Sequence, residues 1–170
     1  MNMKNLTLSA CGALLLGGCQ ASMPPIEPVD YVDLERFMGD WYVVANIPTF
    51  IEKGAHNVVE TYRLDDDGTI ATTFVFRKDS FDGKRKEYNP RAWVLDTDTN
   101  ARWGMRFVWP IKADYRVAWL NDDYSMTVIA RQDRDFVWIM ARTPEISDTD
   151  YEMLIDLVGS IGYDTSQIER

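Results

Sequence analysis

The 170-residue sequence is short of most groups that carry catalysis. It has one histidine, His56, and two cysteines, Cys11 and Cys19, both near the N-terminus. One imidazole and two remote thiols do not supply the usual zinc ligand sets or a Cys–His nucleophile pair. No Gly-rich phosphate loop is present, and there is no internal repeat or low-complexity tract. Basic charge is scarce, with 18 Lys and Arg against 27 Asp and Glu and a net charge of −9. Such a chain is a poor nucleic-acid binder. The carboxylates are many, but they gather in Asp/Asn/Gly clusters, where turn chemistry explains them. No metal ligand set, cofactor or catalytic residue is expected. The apolar run Leu6 to Leu16 is too short to span a bilayer, and no longer one exists.

That run has another reading. Lys4 gives it a positive start, and Leu16-Gly17-Gly18-Cys19 closes it. This resembles the lipobox of bacterial lipoproteins, a removable export signal rather than a core helix. The resemblance implies cleavage before Cys19, acylation of Cys19 and attachment to a membrane. Gln20, a residue other than Asp, implies the outer membrane. The mature chain then has 152 residues and a net charge of −10. It has no thiol pair for a disulfide in an oxidising periplasm, so the core must supply its stability. The expected division is a signal peptide over 1–18, a lipidated N-terminus and extended tether over 19–33, and one domain over 34–170. Pro24, Pro25 and Pro28 mark the tether.

After a short helical turn at Leu34 to Met38, apolar residues recur with period two. Trp41-Val43-Ala45-Ile47, Val58-Glu60-Tyr62 and Ile70-Thr72-Phe74-Phe76 come first. A weaker strand spans Tyr88 to Leu95. Trp103-Met105-Phe107-Trp109, Tyr115-Val117-Trp119, Met126-Val128-Ala130 and Phe136-Trp138-Met140 follow. Turn clusters at 65–68, 96–100 and 121–123 separate them. This predicts an all-β antiparallel meander or barrel of about eight strands, not a βαβ fold; that number can close into an eight-stranded antiparallel up-and-down barrel. One segment changes period. Ser147 to Gly159 puts Met153, Leu154, Leu157 and Val158 on one helical face. Ser147 is its N-cap, and Gly159 or Gly162 stops it. The single C-terminal helix is expected to pack on the barrel wall.

These residues carry a family resemblance. Gly39-x-Trp41-Tyr42, the Asn121-Asp122-Asp123-Tyr124 loop and Phe136 to Pro144 with Arg142 occur in order, and together they resemble the three lipocalin motifs. The loop motif departs from the family pattern, which usually opens with Thr-Asp. The resemblance covers about residues 33–165 and implies a barrel that holds a small amphipathic molecule. Strand parity places Trp41, Asp123 and Arg142 at one end. There the guanidinium would stack on the indole and plug the barrel. Their expected role is structural.

Parity also sorts charge. The loops at the open end (48–56, 77–87, 110–114 and 131–135) sum to +2, and the closed-end turns to −7. Arg77, Lys78, Lys84, Arg85 and Lys86 dominate the open rim, which favours an anionic head group. Alternation points Val43 and Ile47, Val58, Glu60 and Tyr62, Phe74 and Phe76 inward. It does the same for Trp103, Met105 and Phe107, for Tyr115, Val117 and Trp119, and for Trp138 and Met140. These are the candidate ligand-binding residues. Glu60 is the anomaly, because a lone inward carboxylate is costly. A one-residue slip would turn it out and bring Arg63 in. The favoured reading is a membrane-anchored carrier or store of amphipathic lipids, fatty acids or lysophospholipids, and not an enzyme. The alternatives are a tethered protein-interaction module with a packed barrel and, less favoured, an enzyme modifying a lipid or isoprenoid. The chain is compatible with a homodimer.

Overall fold

A computed structural model describes residues 23–108 and 111–170, without the side chains of 107, 108, 111 and 112. Cys19, the signal segment and Trp109 lie outside the described residues, as does the side chain of Phe107.

Among the described residues nine strands form one antiparallel sheet: β1 (Gly39–Ile47), β2 (Ala55–Leu64), β3 (Thr69–Lys78), β4 (Arg85–Tyr88), β5 (Arg91–Val94), β6 (Arg102–Val108), β7 (Ile111–Leu120), β8 (Met126–Ala130) and β9 (Val137–Ala141). β4 and β5 both pair with β3, on Phe74–Arg77 and Thr69–Ala71 respectively. They are one strand broken at Asn89-Pro90, because proline has no N–H for the ladder. β1 pairs with both β9 and β2, so the eight-stranded barrel closes. The helix α1 (Leu34–Phe37) precedes the barrel, and α2 (Asp148–Ser160) follows it. Ser147 caps α2 by accepting from the Asp150 N–H at 3.0 Å. Beyond its end Gly162 takes φ +99°, a left-handed conformation that glycine adopts without a Cβ clash.

Two β-bulges decide which residues face inward. In β1 the partner of Val43 is Met140, but the partner of Ala45 is Ile139. In β7 the partner of Val117 is Ile129, and that of Trp119 is Val128. Each bulge adds one residue, Val44 or Ala118, and inverts the parity after it. Ile47 and Trp119, expected inside, therefore pack outside against α2. Their neighbours there are Val128, Ile139, Leu154 and Val158. Met153, expected on the apolar helix face, is exposed, while Leu154 and Val158 are fully buried.

The stretch expected as a free tether is docked from Pro24 onward. Ile26 and Val32 are buried. The Val29 N–H donates to the Val117 carbonyl at 2.9 Å, and the Val32 N–H to Thr99 at 2.8 Å. The three prolines favour extended backbone here, but Ile26, Val29 and Val32 hold it against the wall.

The closed end gathers the expected motif residues. Arg142 lies 3.8 Å above the Trp41 ring. Its guanidinium also donates to the carbonyls of Asp40 (2.7 Å), Arg36 (2.8 Å) and Phe37 (3.1 Å). Gly39, at φ +93°, turns the chain into β1, and a Cβ there would stand 3.5 Å from Arg142 Nη1. Asp67, Asp96 and Asp123 accept from Thr69, Thr99 and Ser125 in the closed-end turns. Those hydrogen bonds hold each carboxyl below the usual range, so this end stays negative.

Candidate functional site: a cavity above a packed floor

The barrel interior is divided. Its lower half is filled by Phe37, Trp41, Tyr62, Trp103, Tyr115, Val117 and Met140, all buried in one cluster. Trp103 stacks on Tyr115 with centroids 5.1 Å apart, and Phe37 meets Trp103 edge-on at 5.3 Å. The upper half holds a cavity of about 190 Å³. Thr49, Phe50, Ile51, Glu52, Glu60, Phe74, Met105, Ala113, Arg131, Phe136 and Trp138 line it. Beside it Val58, Phe74 and Phe76 pack with Val43 and Ile51. A larger concavity of about 440 Å³ lies between the upper parts of β1 and β2, which pair only over Gly39–Tyr42. Glu169 crosses it by a two-bond backbone bridge to Asn46. The inner cavity is the better candidate, because its lining is chiefly apolar and it opens at the rim.

Of the residues predicted inside, Glu60, Phe74, Met105 and Trp138 line the cavity. Val43, Val58 and Phe76 form its side wall. Tyr62, Trp103, Tyr115, Val117 and Met140 belong to the floor. Ile47 and Trp119 face α2 instead.

Glu60 faces inward, 4% exposed, with Trp41 opposite it in the register, while Arg63 stays outside. Its carboxyl accepts a hydrogen bond from the Tyr62 hydroxyl, which meets the Tyr115 hydroxyl at 2.7 Å. Burial pushes the Glu60 pKa up to about 7, against the opposing effect of the Tyr62 bond, and Glu52 adds repulsion. Both tyrosines are pushed well above 10, chiefly by burial. The three hydroxyl-bearing groups form a chain of donors and acceptors where floor and cavity meet.

Sequence reasoning missed Glu52, a loop residue that is 4% exposed. It accepts from Trp138 Nε1 at 2.7 Å, from the Thr49 N–H at 2.8 Å and from Asn46 Nδ2 at 3.3 Å. It thereby folds the 49–54 turn over the mouth. The signal was the apolar pair Phe50-Ile51 inside a loop otherwise expected to be polar. Phe136 was also left out, although it shares the parity of Trp138 in the last alternating run.

The basic rim is also sorted. Lys86 stands opposite inward-facing Phe76 and is half-buried. Tyr88 stacks near Phe76, with centroids 6.2 Å apart. Residues directly opposite share a face, so Lys86 lies on the inner face near the mouth. Lys84 is exposed, and Arg85 pairs with Glu87 at 2.5 Å.

Residues 32–170 match a family model described as a lipocalin-like domain. The outer membrane lipoprotein Blc of Escherichia coli K12 is 28% identical over 179 aligned positions, covering 98% of this chain and 95% of that protein. Temperature-induced lipocalin-1 of Arabidopsis thaliana is 29% identical, covering 85% and 81%. Among solved structures, insecticyanin from Manduca sexta superposes with a TM-score of 0.66 at 16% identity, covering 86% of this chain and 83% of that one.

Proposed function

Because this chain belongs to the lipocalin-like family, matched across its whole barrel, we propose that it binds amphipathic lipids in the upper barrel and carries or stores them at the outer membrane. The carrying observation is the apolar cavity between Phe74, Met105, Phe136 and Trp138, open at a basic rim. At about 190 Å³ it is smaller than pockets that enclose a drug-sized ligand, which run to about 300–1,000 Å³. It therefore suits the hydrocarbon part of one chain, with the head group left at the mouth. Each buried CH₂ contributes about 0.8 kcal/mol before ordering costs. Arg131, in the lining, and Lys86, on the inner face near the mouth, are the basic side chains placed to meet a carboxylate or phosphate there.

Anchoring through acylated Cys19 completes the reading. It is supported by the Leu-Gly-Gly-Cys motif and by full-length similarity to proteins named as outer membrane lipoproteins. The test is titration of delipidated protein with a fluorescent fatty acid, together with melting curves. Saturating ligand should quench tryptophan emission through Trp138 and raise the melting temperature. If neither changes, the cavity is a packing defect and the interaction-module reading is favoured.

A further inference from the structure

We infer that the barrel mouth faces the bilayer, with the loop aromatics seated in the lipid head-group region. The inference rests on the Cys19 anchor proposed above and adds to it a direction. The docked N-terminal segment fixes that direction. The Pro24 carbonyl accepts from Arg134 Nη2 at 2.7 Å and from Gln132 Nε2 at 3.4 Å. Both donors sit in the loop between β8 and β9, at the open end. From there the segment runs down the wall. The Ile26 N–H donates to Gln132 Oε1 at 3.0 Å, and Arg116 donates to the Ile26 carbonyl at 2.8 Å. Val29 then reaches Val117, and Val32 reaches Thr99 at the closed end.

Residues 24–32 are thus used up in travelling from mouth to floor. Cys19 precedes Pro24 by five residues, which reach at most about 18 Å when fully extended. A ten-residue strand such as β2 runs about 33 Å. With the strand tilt of a barrel the floor still lies about 23–27 Å below the mouth, so Cys19 itself is held on the mouth side.

The surface at that end fits a bilayer. Phe50 is 80% exposed and Phe81 67%, on two separate loops. Lys53, Lys84 and Arg85 stand exposed around them. Aromatic and basic residues together are the composition that partitions to an anionic membrane interface. Leu64 and Leu95 are exposed at the opposite end, but beside Asp65–Asp67 and Asp96–Asp98, which an anionic surface repels. Phe50 is both rim and cavity lining, so a lipid can pass between leaflet and cavity without crossing open water.

The test uses the full acylated protein in vesicles of phosphatidylethanolamine and phosphatidylglycerol. Acylated Cys19 leaves no thiol in the mature chain, so Phe81→Cys and Asp66→Cys each accept a single nitroxide. The label at 81 should be reached by oxygen and shielded from a water-soluble nickel chelate, and the label at 66 should behave oppositely. A second arm combines Phe81→Ser with Lys84→Glu, neither of which lines the cavity. This pair should slow transfer of a fluorescent fatty acid from vesicles by about fivefold or more, the factor one basic side chain near an anionic surface supplies. Its affinity without vesicles should be unchanged. Absence of palmitate label on the wild type would overturn the anchor and the orientation with it. Palmitate present, with the label at 81 open to nickel, would overturn the orientation alone. An unchanged transfer rate would do the same.

Discussion

Replacing Glu60 by glutamine separates the cost of a buried charge from the value of the hydrogen bond it makes. The Glu60 carboxyl faces Tyr62 directly, Tyr115 through Tyr62, and Glu52 in the lining of the same cavity. Its pKa is about 7 in the fold against an ordinary 4.5. The native state thus favours the protonated acid. Its contribution is fully present below pH 4.5 and is lost as pH rises through about 7. At 1.36 kcal/mol per pH unit, that gap is worth about 3 kcal/mol above pH 8. Glutamine keeps an acceptor for Tyr62 but cannot ionise. Glu60→Gln should therefore differ little from wild type at pH 4.5 and should be the more stable protein at pH 8. The difference should be about 3 kcal/mol, or about 6–12 °C in Tm for a chain of this size. Urea melts of both proteins from pH 4.5 to 8.5 measure it. The depressed closed-end aspartates act alike in both and cancel. Parallel stability curves would refute the argument, because they would mean that Glu60 is ionised and solvated throughout.

Trp41→Ala should cost about 3–5 kcal/mol in denaturant melts, as for a fully buried large aromatic. Arg142→Ala should cost less, and the double variant should be non-additive because the two side chains stack; strict additivity would contradict the contact. Lys86→Glu should weaken fatty-acid binding at low salt and much less at high salt. Lys84→Glu should leave binding in solution nearly unchanged, which isothermal titration at two ionic strengths would show. Cys19→Ser should abolish metabolic palmitate labelling and stable membrane attachment, because no other long apolar segment exists in the sequence and loop aromatics alone give only weak, reversible binding.

Much of the fold was legible because period-two alternation and Asp-rich turns are local signals. They give strand number, direction and the two ends, and so place Trp41 and Arg142 together. What alternation cannot show is where it is interrupted. The bulges at Val44 and Ala118 leave the hydrophobic pattern intact, since an outward position beneath α2 is as apolar as an inward one. Ile47 and Trp119 were misplaced for that reason. Glu60 was readable as an anomaly, and Tyr62 shares its face two residues on, but Tyr115 comes from β7 and only the closed barrel brings it to them. Glu52 and the 24–33 segment were hidden because loops and proline-rich stretches carry no periodicity. Their burial is set by Trp138 and by the β7 wall, far away in sequence.

The docked segment also determines how the molecule answers a pull. Tension on a lipid-held Cys19 would enter the fold at Pro24, where the strap meets Arg134 and Gln132. The next attachments, at Arg116, Val117 and Thr99, lie further down the same line. With the proposed anchor beyond the mouth, these contacts lie along the line of pull and would share the load in shear, rather than open singly as in peeling tape. A chain held in this way would be gripped by the length of the wall and not by its first contact alone.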